Sequence, residues 1–108
     1  MSYEVRLTNH AVTDLDELFA YIARNYSLKS AEHVLSHIET ALGKLVKHPH
    51  RGAYPPELSA LGIREYREVF FKPYRIIYRV IGKTAFVYLI VDGRRDMEAL
   101  LRRRLLID

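Results

Sequence analysis

The sequence contains no cysteine and no tryptophan, and only 4 of its 108 residues are proline. Without cysteine there is no disulfide framework, no thiolate zinc site and no cysteine nucleophile. No apolar run approaches the roughly 18 residues that a membrane-spanning helix needs. The first ten residues also lack the basic stretch and apolar stretch of a secretory signal. We therefore expect a cytoplasmic protein without a membrane partner.

The composition is that of an ordinary globular protein, with 49% hydrophobic and 28% charged residues. This balance excludes disorder as the main state. The length is close to the common size of one domain, so we expect residues 1–108 to form a single domain.

The net charge of +4 is unevenly distributed along the chain. Residues 1–63 carry 6 Lys and Arg against 7 Asp and Glu, whereas residues 64–108 carry 11 against 6. Such asymmetry favours an acidic or polyanionic partner for the second half. The alternative is that these basic residues only make the surface soluble.

The first half of the chain has the pattern of one strand and two helices. Residues 3–8 alternate large and polar side chains, as a strand does. Two amphipathic helices should follow, the first capped by Thr8 or Asn9 and the second beginning after Ser27 and ending at Pro49. Because the break between them is short, we expect an antiparallel helical hairpin.

The second half has the pattern of a small sheet. Residues 49–63 predict a loop with one helical turn around Glu57–Leu61. Three strands and a short terminal helix should follow, at Glu65–Phe71, Tyr74–Ile81, Thr84–Asp92 and Asp96–Ile107. The order β-α-α-β-β-β predicts an α+β fold with the helices on one side of the sheet.

The turn at Gly82-Lys83 fixes the expected register of the last hairpin. Paired residue numbers should sum to 165, so that Arg79 lies opposite Phe86 and Arg75 opposite Ile90. The more apolar face should meet the helices, and it contains Ile76, Tyr78, Val80, Ala85, Val87, Leu89 and Val91. Arg75 and Arg79 would then lie on the exposed face.

A set of basic residues on or beside these strands is a candidate binding surface. Arginine donates hydrogen bonds to phosphate in a planar fork, and neighbouring aromatic rings can stack on bases. The basic residues are Arg67, Lys72, Arg75, Arg79, Arg94 and Arg95, and the aromatic ones are Tyr66, Phe86 and Tyr88. The alternative is a solvated sheet face whose long side chains cover apolar neighbours.

Two further clusters give weaker signals. His33 and His37 stand one helical turn apart, a spacing that can bind metal, but the glutamate of the HExxH pattern is missing. Phosphate-binding glycine motifs are absent too, so we expect neither a metal nor a cofactor. The run Arg102-Arg103-Arg104 either complements a helix dipole or docks an acidic partner.

The segment YREVFFKPYRIIYRV at 66–80, followed by VDGRRDM at 91–97, closely resembles the RelE/ParE superfamily of bacterial type II toxin–antitoxin toxins. Other matching residues are Leu7-Thr8, Ala11, Asp14-Leu15, Tyr21-Ile22-Ala23, His48-Pro49-His50-Arg51-Gly52 and Pro56-Glu57-Leu58. The resemblance implies an N-terminal strand, an antiparallel helical hairpin packed on a small, mainly antiparallel twisted sheet, and a short C-terminal helix or tail.

The superfamily has two functional branches. RelE-like members are ribosome-dependent endoribonucleases that cut mRNA, and ParE-like members poison DNA gyrase without nuclease activity. Both are silenced by a co-expressed antitoxin in a hetero-oligomer. The resemblance therefore implies a cognate antitoxin as partner, with DNA gyrase, or the ribosome and mRNA, as target.

The resemblance also assigns candidate roles to residues. Arg75 matches the arginine that contacts the scissile phosphate in the nucleases, and Arg95 matches the second arginine, after the last strand. Residues expected to bind the target or nucleic acid are Arg67, Lys72, Arg79, Tyr88 and Arg94. Residues expected to bind the antitoxin are Arg102, Arg103 and Arg104.

The departures from the nuclease pattern decide our interpretation. The paired lysines before the Tyr-Arg strand are replaced by the stretch from Arg67 to Phe71, and Leu101 stands where the nucleases use a tyrosine. Arginine cannot act as a base, so no residue is assigned to proton transfer unless Glu65, Tyr66 or Glu68 replaces the missing lysines and tyrosine. We favour a gyrase poison. The alternatives are an mRNA endonuclease and a degenerate, non-toxic antitoxin-binding member.

Overall fold

The structure, a computed structural model, describes residues 2–106. Its elements are β1 (Glu4–Leu7), α1 (Asn9–Asn25), α2 (Leu28–Lys44), a 3₁₀ turn (Pro49–Arg51), α3 (Pro56–Ser59), β2 (Arg67–Phe71), β3 (Tyr74–Ile81), β4 (Thr84–Asp92), α4 (Met97–Leu101) and a π-helical turn (Arg102–Leu106). Within the described residues, no helix combines the length and hydrophobicity that crossing a bilayer requires. The predicted order of strands and helices is confirmed.

Both long helices begin at the hydroxyl residues that the sequence predicted. The Thr8 side chain accepts a hydrogen bond from Ala11 N–H at 3.1 Å, and the Ser27 side chain accepts one from Ser30 N–H at 3.0 Å. Each bond satisfies an N–H group that has no partner inside the helix. The end of α2 differs from the prediction, because the helix stops at Lys44 and not at Pro49.

The four strands form one mixed sheet in the order β1-β4-β3-β2. β1 runs parallel to β4, and the other two pairings are antiparallel. The helical hairpin follows β1 in the chain and covers one face of this sheet. The predicted α+β fold, with its mainly antiparallel sheet, is therefore confirmed.

A β-bulge in β4 divides the β3–β4 hairpin into two registers. Near the turn, Arg79 pairs with Phe86 as predicted, but beyond Tyr88 the register shifts by one residue. Arg75 therefore lies opposite Val91, and the predicted pairing with Ile90 is wrong. A bulge adds one residue to one strand, which exchanges the faces of the residues beyond it.

The bulge gives the sheet two apolar faces. On the helix side, Ile76, Tyr78, Val87 and Ile90 form a core against α1 and α2. On the other side, Leu89 and Val91 pack with residues of α3 and α4, among them Leu58, Met97, Leu100 and Leu101. The expectations that Leu89 and Val91 face the helical hairpin, and that the second face is exposed, are both wrong.

The C-terminal segment closes this second core. α4 begins after Asp96, whose side chain accepts a hydrogen bond from Ala99 N–H at 3.1 Å. The chain continues in a π-helical turn to Leu106. The predicted terminal helix is thus confirmed as far as it is described, and Ile107, its last predicted residue, lies outside the described residues.

Candidate functional site: a buried arginine, an exposed basic rim and a groove

Arg75, the first candidate for phosphate binding, is held by two carboxylates inside the protein. Its side chain extends from β3 between Glu68 of β2 and Glu57 of α3. Arg75 Nε donates to Glu68 Oε1 at 2.7 Å, while Nη1 and Nη2 donate to the two oxygens of Glu57 at 2.8 Å. Only 8% of the residue is exposed. The expectation that Arg75 lies on an open sheet face is therefore wrong.

The backbone around this triad fixes the arginine in place. A Cβ atom at Gly93 would lie 2.6 Å from Arg75 Cδ and 2.8 Å from Cγ, so only glycine leaves room for the arginine stem. Gly93 N–H also donates to the Pro73 carbonyl at 2.8 Å, which ties the end of β4 to the start of β3.

The pKa values of these three groups are shifted, that of Glu57 downward and those of Glu68 and Arg75 upward. The hydrogen bonds from Arg75 hold the pKa of Glu57 below its usual value. Burial raises the pKa of Glu68, although the bond to Arg75 opposes this effect. The Glu57 carboxylate in turn raises the pKa of Arg75, which stays charged at every physiological pH. The guanidinium therefore functions as the centre of an internal ion-pair network.

The other arginines on the sheet contact aromatic rings of the protein itself. The Arg67 guanidinium lies 4.7 Å from the centre of the Tyr54 ring, and Nη1 donates to the Gly52 carbonyl at 2.9 Å. The Arg79 guanidinium lies 6.0 Å from the ring of Tyr66, which is buried and meets Tyr88 edge-on at 5.5 Å. These predicted stacking surfaces are largely occupied by internal packing.

The basic residues at the ends of the strands have the opposite character. Lys72, in the β2–β3 turn, and Arg94 and Arg95, after β4, are all exposed. Arg94 Nη2 donates to Asp92 Oδ2 at 2.6 Å, and this ion pair lowers the pKa of Asp92. The Arg94 side chain nevertheless remains 74% exposed, so it can contact a partner.

The C-terminal arginine run is divided between surface and interior. Arg102 and Arg103 are exposed. Arg104 donates to both oxygens of Asp14 on α1 at 3.0 Å and to the Tyr88 carbonyl at 2.8 Å. Asp14 also accepts a hydrogen bond from Ile90 N–H at 3.2 Å. Arg104 therefore supports the backbone at the β4 bulge.

A groove of about 620 Å³ lies between the helical hairpin and the end of β4. Arg94 and Arg95 form part of its wall, together with Tyr21, Tyr26 and Tyr74. The lining also includes the carboxylates of Asp14, Glu17 and Asp92. Tyr21 is 56% exposed and Tyr26 is 74% exposed, which is a high exposure for aromatic side chains. Sequence reasoning did not assign a role to these two tyrosines. Tyr21 lies on α1 and Tyr26 follows its last residue, so two aromatic residues close together at the end of a helix were the available signal.

His33 and His37, which stand one helical turn apart on α2, make aromatic contacts. Their ring centres lie 4.3 Å apart, His37 Nδ1 donates to the His33 carbonyl at 3.0 Å, and the His37 ring stacks on Phe71 at 4.4 Å. Within residues 2–106, no three His, Asp or Glu side chains are arranged to hold a metal ion.

Comparison with known proteins links this geometry to one family. The family model described as "ParE toxin of type II toxin-antitoxin system, parDE" matches residues 5–97. Toxin ParE3 of Caulobacter vibrioides is 30% identical over 91 residues, which cover 84% of this chain and 87% of that protein.

Two solved structures share the fold. A structure from the chromosomal ParDE toxin–antitoxin system of P. aeruginosa superposes with a TM-score of 0.69 at 20% identity, covering 83% of this chain and 95% of that one. A chain of the RelBE2 toxin–antitoxin complex from Mycobacterium tuberculosis superposes with a TM-score of 0.58 at 22% identity, covering 85% and 99%.

Proposed function

Because the chain belongs to the ParE toxin family of type II toxin–antitoxin systems, we propose that it inhibits growth by binding and poisoning DNA gyrase, and that a cognate antitoxin silences it. The family itself is established by a match over residues 5–97. The choice of gyrase as the target, and of the antitoxin as the silencing partner, is our proposal.

The burial of Arg75 is the observation that favours gyrase over mRNA cleavage. Ribonuclease chemistry needs a cation that meets the scissile phosphate, together with groups that transfer protons. Here Nε, Nη1 and Nη2 of Arg75 all donate to carboxylates of the protein. Glu68, one of the candidate bases, and Glu57 beside it are committed to the same ion pairs. A gyrase poison acts by binding and needs none of this machinery.

We assign target binding to the basic surface, with unequal roles for its members. Lys72 and Arg94 are exposed and present cations directly. Arg95 is also exposed, and because we propose no phosphate cleavage, we assign it to the same surface. Arg67, Arg79 and Tyr88 are half-buried, and we expect them to shape the sheet beneath these cations. Positive charge suits contact with the DNA that gyrase holds, because the phosphates attract exposed cations.

We assign antitoxin binding to the groove beside α1 and to the two exposed arginines of the C-terminal run. The groove offers exposed Tyr21 and Tyr26 to an apolar segment, and Arg102 and Arg103 offer charge to acidic residues. Because Arg94 and Arg95 form part of the groove wall, a bound antitoxin would cover them. This overlap gives a physical reason why binding would silence the toxin.

Controlled expression in a bacterium tests the proposed target. We expect filamentation and DNA-damage signalling while protein synthesis continues. Rapid arrest of translation with cleaved mRNA would overturn the proposal in favour of the endonuclease. Unimpaired growth, with the folded protein detected in the cells, would indicate a non-toxic family member.

Purified gyrase provides the matched biochemical test. The toxin should increase the fraction of DNA cleaved by gyrase, and the double variant Arg94→Ser/Arg95→Ser should lose most of this effect. Arg24→Ser removes an exposed charge from α1 outside the groove and should behave as the wild type. Equal activity of the double variant and the wild type would exclude this end of the sheet as the target surface.

A further inference from the structure

A second groove, of about 410 Å³, lies between α2 and the outer edge of β2. It is at the opposite edge of the sheet from β1, so it is separate from the groove beside α1. Its apolar residues are Ala41, Leu45, Val69, Phe70 and Phe71, and its polar residues are His37, Thr40, Lys44, His48 and Arg51. Neither gyrase poisoning nor antitoxin binding, as assigned to the other surfaces, uses this groove.

The charge of the second groove has one sign. Lys44 and Arg51 carry full positive charges, and His37, His48 and Thr40 carry no negative charge. Among the lining residues that the structure describes, there is no carboxylate. A concave surface lined by one sign of charge attracts a ligand segment of the opposite sign.

The outer edge of β2 is paired at Glu68 and open at Phe70. Glu68 exchanges two hydrogen bonds with Ala53, at 2.7 and 3.1 Å, on the side of the strand that faces away from β3. Backbone groups two residues apart point the same way in a strand, so the N–H and C=O of Phe70 also face outward. Within residues 2–106, no strand pairs with β2 beyond this bridge on its outer side.

We propose that this second groove binds an extended, acidic peptide segment, which adds a strand to the edge of β2. Alternate side chains of an added strand point to opposite faces of the sheet. Acidic side chains would face Lys44 of α2 and Arg51 of the 3₁₀ turn. The apolar side chains between them would lie beside Phe70, which is 46% exposed on the opposite face.

A peptide fits this surface better than a nucleic acid does. Binding of nucleic acid depends on many phosphate contacts, of the order of six or more for a strongly salt-dependent complex. The second groove offers only Lys44 and Arg51 as permanent cations among its described lining residues. An unpaired strand edge, in contrast, offers hydrogen bonds that only another peptide backbone matches in spacing.

A synthetic peptide of about seven residues, in which Glu alternates with Val, is the direct probe, because it has a typical strand length and can pair with the open edge at Phe70. We expect it to bind the toxin and the counterpart with Lys in place of Glu not to bind. The charge reversals Lys44→Glu and Arg51→Glu should each weaken binding about tenfold, which corresponds to about 1.4 kcal/mol. Lys29→Glu, an exposed reversal on α2 outside the groove, is the matched control and should bind as the wild type does.

Backbone methylation distinguishes strand addition from simple charge attraction. Only every second N–H of an added strand faces β2, so N-methylation at one set of alternate residues should abolish binding and methylation at the other set should not. The amide of Phe70 should also become protected from hydrogen exchange. Equal binding of both methylated peptides, or binding of a single-stranded oligonucleotide but not of the peptide, would overturn the proposal. These measurements involve neither gyrase nor the antitoxin, so they stand apart from the proposed function.

Discussion

At the scale of single residues, Arg75 shows how burial changes what a charged group can do. An exposed arginine exchanges partners freely, but one that is 8% exposed between two carboxylates cannot leave them without a large desolvation cost. Glu57 and Glu68 share one guanidinium and differ in environment, since Glu57 is at the rim and Glu68 is nearly fully buried. Their pKa values therefore move in opposite directions.

This difference predicts opposite effects of two neutralising substitutions on acid stability. The pKa of Glu57 is lowered on folding, so its contribution is present above the unfolded pKa and is lost as pH falls through the folded value. The pKa of Glu68 is raised, so its contribution is present at low pH and is lost as pH rises. Between about pH 6 and pH 3, Glu57→Gln should make the loss of stability shallower and Glu68→Gln should make it steeper.

Urea unfolding at a series of pH values measures both slopes. Glu39→Gln neutralises an exposed carboxylate on α2 and should keep the pH dependence of the wild type. A shallower slope for Glu68→Gln would contradict a raised pKa at Glu68, because it would mean that the ion pair with Arg75 outweighs the burial of the carboxyl group.

At the scale of elements, the β4 bulge marks the limit of what the sequence could predict. Strand positions, helix caps and the pairing of Arg79 with Phe86 followed from local patterns and from the Gly82-Lys83 turn. The extra residue at Tyr88 had no such signal, because β4 is apolar on both sides of the bulge. The burial of Arg75 has no local signal either, because Glu57 of α3 and Gly93 after β4, which enclose its side chain, are each about eighteen residues away in the chain.

Two side chains bind backbone groups of β4 that have no strand partner beyond the end of β1. β1 ends at Leu7, so the edge of β4 beyond Val87 has no strand neighbour on that side among the described residues. Asp14 accepts from Ile90 N–H, and Arg104 donates to the Tyr88 carbonyl while it binds Asp14 at 3.0 Å. The side chains of this ion pair are only 15% exposed for Arg104 and 11% exposed for Asp14. The pair therefore links α1, β4 and the C-terminal turn in an environment with little water.

Removing Asp14 should therefore destabilise the protein by about 1–3 kcal/mol, the usual cost of leaving buried donors unsatisfied. In Asp14→Ala, Ile90 N–H loses its side-chain acceptor, and the Arg104 guanidinium loses its carboxylate and keeps the Tyr88 carbonyl. Arg104→Met should cost a similar amount, and the double variant should cost less than the sum, because the two residues act on the same contact. Asp16→Ala, at an exposed position on α1, should change stability by about 0.5 kcal/mol or less.

Chemical denaturation gives these free energies, and hydrogen exchange localises them. The Ile90 amide should exchange faster in Asp14→Ala, while amides near the Gly82-Lys83 turn should keep the protection of the wild type. Full additivity of the two substitutions would contradict a shared role for Asp14 and Arg104.

At the scale of the whole molecule, folding redistributes the charge that is uneven along the sequence. Two arginines of the basic second half, Arg75 and Arg104, pair with Glu57 and Asp14 of the first half. These ion pairs join the two halves of the chain, and both guanidinium groups are largely buried in them. Sequence counting could not separate such internal cations from the exposed ones, because the pairs join residues far apart in the chain.

The exposed cations that remain should control how fast the antitoxin associates, and the exposed tyrosines of the groove should control how slowly it leaves. Charges at the rim of an interface steer encounter and act mainly on the association rate, whereas buried anchors act on dissociation. The double variant Arg102→Ser/Arg103→Ser should therefore slow association several-fold and flatten its dependence on salt. Tyr26→Ala, which removes a ring 74% exposed in the free toxin, should speed dissociation and leave association unchanged.

Surface plasmon resonance with the cognate antitoxin separates the two rates at a series of salt concentrations. The charge control is Arg24→Ser/Lys47→Ser, which removes two exposed cations that do not line the groove. It lowers the net charge by the same amount, so it should slow association much less if the position of the charge matters. Equal slowing by both double variants would mean that only the total charge of the toxin attracts the antitoxin, and would remove Arg102 and Arg103 from the proposed interface.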